Sequence, residues 1–266
     1  MRIQPLIGAL GAEILDIDLS KPLDKETFGD VKKALLDHLV IVFRDQELSL
    51  DQYKAFAKLF GPLHVFSYLG ARPLPGHDDV LRVVKEKDDK KVFGEKWHAD
   101  VTFLEKPILG SMLYAIETPP QGGDTLFANM YAAFDALSEG MKEMLDGLQA
   151  VHETMVYEQG VKLDPANPPP LVNMQSLHPV IARHPETGQK LLNVNRTYTT
   201  KFQNMTEEDS KSLLEHLFQH AVRAEFVSRL RWKPGTLAFW DNRCTQHLPI
   251  NDYHGFRREM YRITVL

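Results

Sequence analysis

The chain has 266 residues, room for one large domain or two small ones, and its 43% hydrophobic and 25% charged residues describe an ordinary globular composition. A formal net charge of −5 offers no basic field to draw in nucleic acid, and no stretch approaches the roughly 20 apolar residues of a membrane span. The one cysteine, Cys244, excludes an intrachain disulfide framework. With an N-terminus lacking the apolar core of a signal peptide, it points to a reducing cytoplasm.

Residues 1–20 read as a short strand, a turn at Gly8 and Gly11, and a second strand over 12–19 in which apolar and acidic residues alternate. A helix is expected over 24–38, then a central strand at Leu39-Val40-Ile41-Val42-Phe43. Ser49 to Gln52 has the form of a capping box opening a helix that Gly61-Pro62 ends. The charge run from Lys85 to Lys91 reads as a solvated hairpin tip. From Trp97 onward short strands dominate: 108–117, 124–128, 177–183 paired with 190–194, 226–232, 235–240 and 256–265. They are interrupted by two helices over 130–148 and an amphipathic one over 205–221. Met141 and Met144, in the second of these helices, are read as core. The Pro-rich stretch 157–176 cannot be regular structure and is expected to be a lid inserted into one domain spanning 1–266. The fold expected is mainly β with flanking helices (α+β), on a double-sheet jelly roll, or double-stranded β-helix, which gathers distant strands around an open mouth.

The chemistry starts at Trp97-His98-Ala99-Asp100-Val101-Thr102-Phe103. On a strand, His98 and Asp100 would leave the same face. His247, after the apolar strand ending at Trp240, supplies a second imidazole, and two histidines with one carboxylate are the ligand set of non-haem Fe(II) oxygenases. A metal also answers the cost of burying Asp100 unpartnered. On a final strand Arg258 and Arg262 share a face. Two arginines aimed into a β core each need an anion: core carboxylates, or a dicarboxylate cosubstrate and an acidic substrate. His216 and His220, four apart on a helix that reads as exposed, lack the glutamate of a zinc protease motif. His178, His184 and His254 read as structural, and Cys244 as buried and inert.

Assembled, these residues resemble the taurine dioxygenase/2,4-dichlorophenoxyacetate dioxygenase family. The resemblance runs from Ile7-Gly8-Ala9-Leu10-Gly11 through Phe60-Gly61-Pro62-Leu63-His64, the His98 motif, Gly122-Gly123-Asp124-Thr125 and Leu177-His178-Pro179 to Trp240-Asp241-Asn242-Arg243 and the arginine pair. It implies Fe(II) on His98, Asp100 and His247, and 2-oxoglutarate held by Thr125 and Arg258. It also implies a small anionic substrate facing Arg262, and dioxygen as oxidant, with succinate and carbon dioxide released as the substrate is hydroxylated beside its heteroatom. Phe66, Tyr68, Val101, Tyr157 and Tyr198 are expected to line the substrate pocket. Phe66 stands where taurine-type members carry a histidine, and Gly94-Glu95-Lys96 replaces the region of their asparagine. Those departures point to a more apolar acid: an alkyl or aryl sulfonate, an alkyl sulfate or a phenoxyalkanoate. The expected assembly is a homo-oligomer, dimer or tetramer, without nucleic acid or membrane partners. A non-oxidative hydrolase or isomerase, or a ligand-binding protein on the same barrel, is the competing reading.

Overall fold

The protein, seen in a computed structural model that describes residues 1–6, 8–65, 73–154 and 174–266, is mostly strand with a few helices. The first half runs β1 (Arg2–Pro5), β2 (Ala12–Leu15), α1 (Lys25–His38), β3 (Val40–Phe43), α2 (Leu50–Lys58), β4 (Pro73–Leu74), β5 (His77–Lys85), β6 (Gly110–Glu117) and β7 (Thr125–Asn129). Then come α3 (Met130–Asp135), α4 (Glu139–Leu145), β8 (Gln149–Glu153), β9 (Gln175–Pro179), β10 (Ile181–Arg183), β11 (Lys190–Leu192) and β12 (Thr199–Phe202). The chain closes with α5 (Glu207–Ala221), β13 (Val227–Leu230), β14 (Leu237–Asp241), β15 (Thr245–Pro249) and β16 (Arg258–Val265).

The helices start where their capping residues dictate. Asp24 accepts the Thr27 N–H ahead of α1, and the Ser49–Gln52 capping box ahead of α2 is complete in both directions. Leu39 differs from its expected place in β3. It caps α1 in a left-handed conformation (φ 67°), and the strand begins one residue later.

One sheet of eight strands, in the order β1-β2-β3-β14-β6-β16-β5-β4, carries the molecule. Its alternating side chains feed two cores. Ile41, Phe43, Met112, Tyr114, Phe239 and Ile263 face α1 and α2 on one side. Val40, Val42, Leu113, Ala238, Trp240 and Met260 face β7, α3 and α5 on the other. The three-stranded sheet β13-β7-β15 lies on this second side, and a further sheet, β12-β8-β9, flanks it. The space between the eight-stranded sheet and β13-β7-β15 is where polar residues are buried. No helix among the described residues is long and apolar enough to cross a membrane.

Several local expectations need correction. β5 forms where no strand is assigned ahead of the 85–91 charge run, and it pairs with β16 along Leu81–Lys85. Lys85 is consequently buried at the strand end, and only the rest of the 85–91 charge run is solvated. His98–Phe103 is not a strand. His98 makes one isolated bridge and a turn follows from Asp100. β9 begins at Gln175, inside the stretch expected to be irregular, because β8 pairs with it. Residues 157–173 of the expected lid lie outside the described residues. Met144 is exposed rather than core, and His220, on the inner face of α5, is buried on the Ala133 carbonyl at 2.7 Å.

Candidate metal centre and cosubstrate cavity

His98 and His247 exchange both backbone hydrogen bonds, 3.1 and 2.8 Å, so their side chains stand side by side with ring centroids 4.1 Å apart. The turn after His98 swings Asp100 back toward them. Asp100 Oδ1 lies 3.6 Å from His98 Nε2 and 3.8 Å from His247 Nε2, and one ligand atom from each residue fits within a 4.8 Å circle of mutual distances. All three are buried. The second oxygen, Oδ2, accepts from Ser111 Oγ at 2.8 Å and meets the Arg262 guanidinium at 2.9 Å.

The electrostatics suit a divalent cation. Burial lowers the His98 pKa and Arg262 adds to it, against the opposing pull of Asp100 and the Lys96 carbonyl. Burial likewise holds His247 well below its ordinary value, with His98 contributing. Both imidazoles are therefore neutral. His98 Nδ1 sits 2.7 Å from the Lys96 carbonyl, so Nδ1 carries the proton and the Nε2 lone pair faces Asp100. Burial pushes the Asp100 carboxyl up, but Arg262, His247, His98 and Ser111 together outweigh it and hold it at about 2. Two neutral imidazoles and one carboxylate are the donors a non-haem Fe(II) ion uses.

A second group, His184, Asp241 and Cys244, also converges, yet the lone pairs of His184 and Asp241 are spent. Arg243 takes both Asp241 oxygens at 2.9 and 2.6 Å, and His184 Nε2 lies 3.0 Å from Oδ2. His184 Nδ1 accepts the Glu186 and Thr187 N–H groups. This cluster is a structural lock.

A cavity enclosing about 50 Å³ opens beside the triad, walled by Leu113, Phe127, Trp232, Trp240 and Pro249 and bearing Thr125, Arg258 and Arg262. Arg258 and Arg262 leave one face of β16, about 13 Å apart along the backbone. Arg262 is at the carboxylate end. Arg258 is at the other, 6% exposed, its guanidinium 5.7 Å over the Trp232 ring. Its Nε and one terminal nitrogen have no hydrogen-bond partner among the described residues. Burial lowers its pKa, with Tyr253 and Asp124 opposing. A buried guanidinium on a cavity wall, with two nitrogens unpartnered among the described residues, can accept an anion. Thr125 Oγ accepts from Trp232 Nε1 at 2.9 Å, which leaves the threonine hydroxyl proton to donate elsewhere.

Of the residues expected to line a substrate pocket, Tyr198 stands edge-on to His98 at 6.4 Å and to Phe103 at 5.3 Å. Val101 joins Phe103, Ile108 and Tyr198 in a small apolar cluster. Phe66, Tyr68 and Tyr157 lie outside the described residues. Sequence reasoning missed Ser111, Trp232 and Asn242. Ser111 had a signal, a polar residue inside the apolar strand β6. Asn242 was visible only as part of a motif.

The comparisons agree with one another. The family model described as "Taurine catabolism dioxygenase TauD, TfdA family" matches residues 2–264. The chain is 34% identical over 277 residues to the alpha-ketoglutarate-dependent sulfate ester dioxygenase of Pseudomonas putida, covering 99% of this chain and 88% of that one. It is 33% identical over 281 residues to the alpha-ketoglutarate-dependent 2,4-dichlorophenoxyacetate dioxygenase of Cupriavidus pinatubonensis, covering 98% and 96%. A solved structure of AAD-2 in complex with Mn(II) and N-oxalylglycine superposes with a TM-score of 0.83 at 28% identity, covering 99% of this chain and 96% of that one. The chain therefore belongs to the TauD/TfdA family of dioxygenases.

Proposed function

We propose that the protein is an Fe(II)- and 2-oxoglutarate-dependent dioxygenase acting on a small organic acid, a sulfate ester, sulfonate or phenoxyalkanoate, beside its heteroatom. The observation that carries this reading is the pairing of a buried, anionic Asp100 between two neutral imidazoles with a buried Arg258 at the far end of the same cavity, two of whose nitrogens have no partner among the described residues. His98, Asp100 and His247 would hold the iron, which when bound supplies the activation of dioxygen. Arg258 would take the far carboxylate of 2-oxoglutarate in a bidentate pair, with the Thr125 hydroxyl as a further donor. Arg262 would offer its charge to the substrate anion while its contact with Asp100 keeps that carboxylate ionised. The apolar walls exclude water from the reacting centre. The two facing sheets would form the halves of a double-stranded β-helix, and the single buried Cys244 suits a reducing cytoplasm.

The relatives' names motivate the substrate classes, since one acts on sulfate esters and another on a phenoxyacetate. The test is succinate release and oxygen uptake with Fe(II) and 2-oxoglutarate across alkyl sulfates, sulfonates and phenoxyalkanoates. One class should stimulate turnover, with sulfate, sulfite or a phenol appearing alongside succinate. A substrate hydrolysed at the same rate without oxygen or 2-oxoglutarate would replace this reading with the hydrolase one.

A further inference from the structure

We infer that Asn242 is a positioning residue for the metal site: its carboxamide fixes the backbone of Asp100 in the conformation that turns the carboxylate toward His98 and His247. The inference rests on the metal reading above and adds a residue to it. The backbone of His98 is held by its bridge to His247, but Asp100 lies past the end of that bridge, in no strand ladder. Asn242 takes the ladder's place. Its Oδ1 accepts the Asp100 N–H at 2.7 Å and its Nδ2 donates to the Asp100 carbonyl at 3.0 Å. The two residues are 142 positions apart and both are buried.

The constraint has something to oppose. Val101, next to Asp100, sits at φ 46°, a left-handed backbone that a β-branched residue rarely adopts. Relaxing it would rotate the peptide plane that carries Asp100. Asn242 itself is rigidly mounted. Its own N–H bonds the Leu109 carbonyl at 3.0 Å, and the preceding Asp241 is bound to Leu39 through its backbone and to Arg243 and His184 through its side chain. Ser111 and Arg262 hold Asp100 Oδ2 and so set the rotation of the carboxylate; they do not touch its main chain. Only a carboxamide offers an acceptor and a donor side by side. An aspartate at 242 would keep the acceptor and lose the donor, and an alanine would lose both.

The test is Co(II) titration followed by visible absorption, in the wild-type chain and in Asn242→Ala, Asn242→Asp, His247→Ala and Leu145→Ala, with thermal melting of each. Leu145 is fully buried in the core and serves as a variant that loses stability without touching the site. Wild type should bind one Co(II), and His247→Ala should lose it. Asn242→Ala should bind about 10- to 100-fold more weakly, the range for lost outer-sphere partners of metal ligands, with an altered ligand-field spectrum. Asn242→Asp, whose second carboxylate oxygen would face the Asp100 carbonyl oxygen, should bind at least as weakly as Asn242→Ala, and Leu145→Ala should bind as wild type does. If Asn242→Ala does not fold, Asn242→Asp decides on the same criteria. Wild-type affinity and spectrum in the Asn242 variants, or an equal loss in Leu145→Ala, would overturn the inference. Co(II) binding that survives His247→Ala would instead overturn the metal reading itself.

Discussion

An apolar replacement at Arg258 should stabilise the ligand-free protein while disabling it. Two of the guanidinium nitrogens are buried without a partner among the described residues, and each unmet donor costs about 1–3 kcal/mol. Against their removal stands the loss of the contact over Trp232, worth about 0.5–2 kcal/mol, and of the support from Tyr253. Arg258→Met keeps most of the side-chain volume, so the balance is a gain of about 2 kcal/mol, or roughly 4–8 °C for a domain of this size. The functional cost runs the other way. Two charge-assisted bonds to a carboxylate, at about 1.5–3 kcal/mol each, amount to at least a hundred-fold in affinity. Scanning calorimetry with and without Mn(II) and N-oxalylglycine measures both effects. The wild type should melt lower alone and gain a large shift from the ligand; Arg258→Met should melt higher alone and gain almost none. A variant that melts below wild type and still shows the full ligand shift would refute the reasoning, because Arg258 would then be a structural cation rather than an anion site.

Three further outcomes follow from the same geometry. His247→Ala should abolish metal binding with a modest loss of stability, whereas Asp100→Ala also takes the carboxylate from the buried Arg262 and should cost up to about 3–5 kcal/mol; equal metal-free melting temperatures would contradict this ranking. Trp232→Phe removes the hydrogen bond that orients Thr125 and should raise KM for 2-oxoglutarate about 2- to 10-fold, with Co(II) affinity unchanged. Burial pushes the Asp241 carboxyl up, yet Arg243 and His184 outweigh it and leave it below the ordinary carboxylate value. A lowered folded-state pKa contributes stability that is complete above about pH 4 and is lost as pH falls through the folded value. Asp241→Asn should therefore flatten the acid limb of melting temperature against pH while lowering the melting temperature at neutral pH; an unchanged slope below pH 4 would assign acid unfolding elsewhere.

What could be read from the sequence was whatever depends on neighbours along the chain. The capping box at Ser49, the apolar run 40–43 and the alternation on β16 are local patterns. The last of these correctly places Arg258, Met260 and Arg262 on one face. What each arginine meets is not local. That Arg262 reaches Asp100 follows from β16 lying beside β6 with Thr264 opposite Ser111, a pairing across about 150 residues that no periodicity encodes. β5 escaped notice for the same reason: Val80, Leu81, Val83 and Val84 stand among Asp78, Asp79 and Arg82, and the pairing with β16 that sets its extent is not local.

His98 and Asp100 show how a correct juxtaposition can rest on the wrong geometry. Strand alternation would put both side chains on one face, and the two do converge, but Asp100 is in a turn. Its carboxylate reaches the histidines because Val101 is held left-handed and Asn242 replaces the missing ladder bonds. A true strand would send Val101 to the opposite face and leave the Asp100 peptide to pair with a neighbouring strand. In this turn, that peptide is paired with the Asn242 side chain, one residue past the end of β14. The spacing of the motif thus constrains less than it suggests. Two residues apart is compatible with strand or turn, and the choice between them is made by an asparagine more than half the chain away.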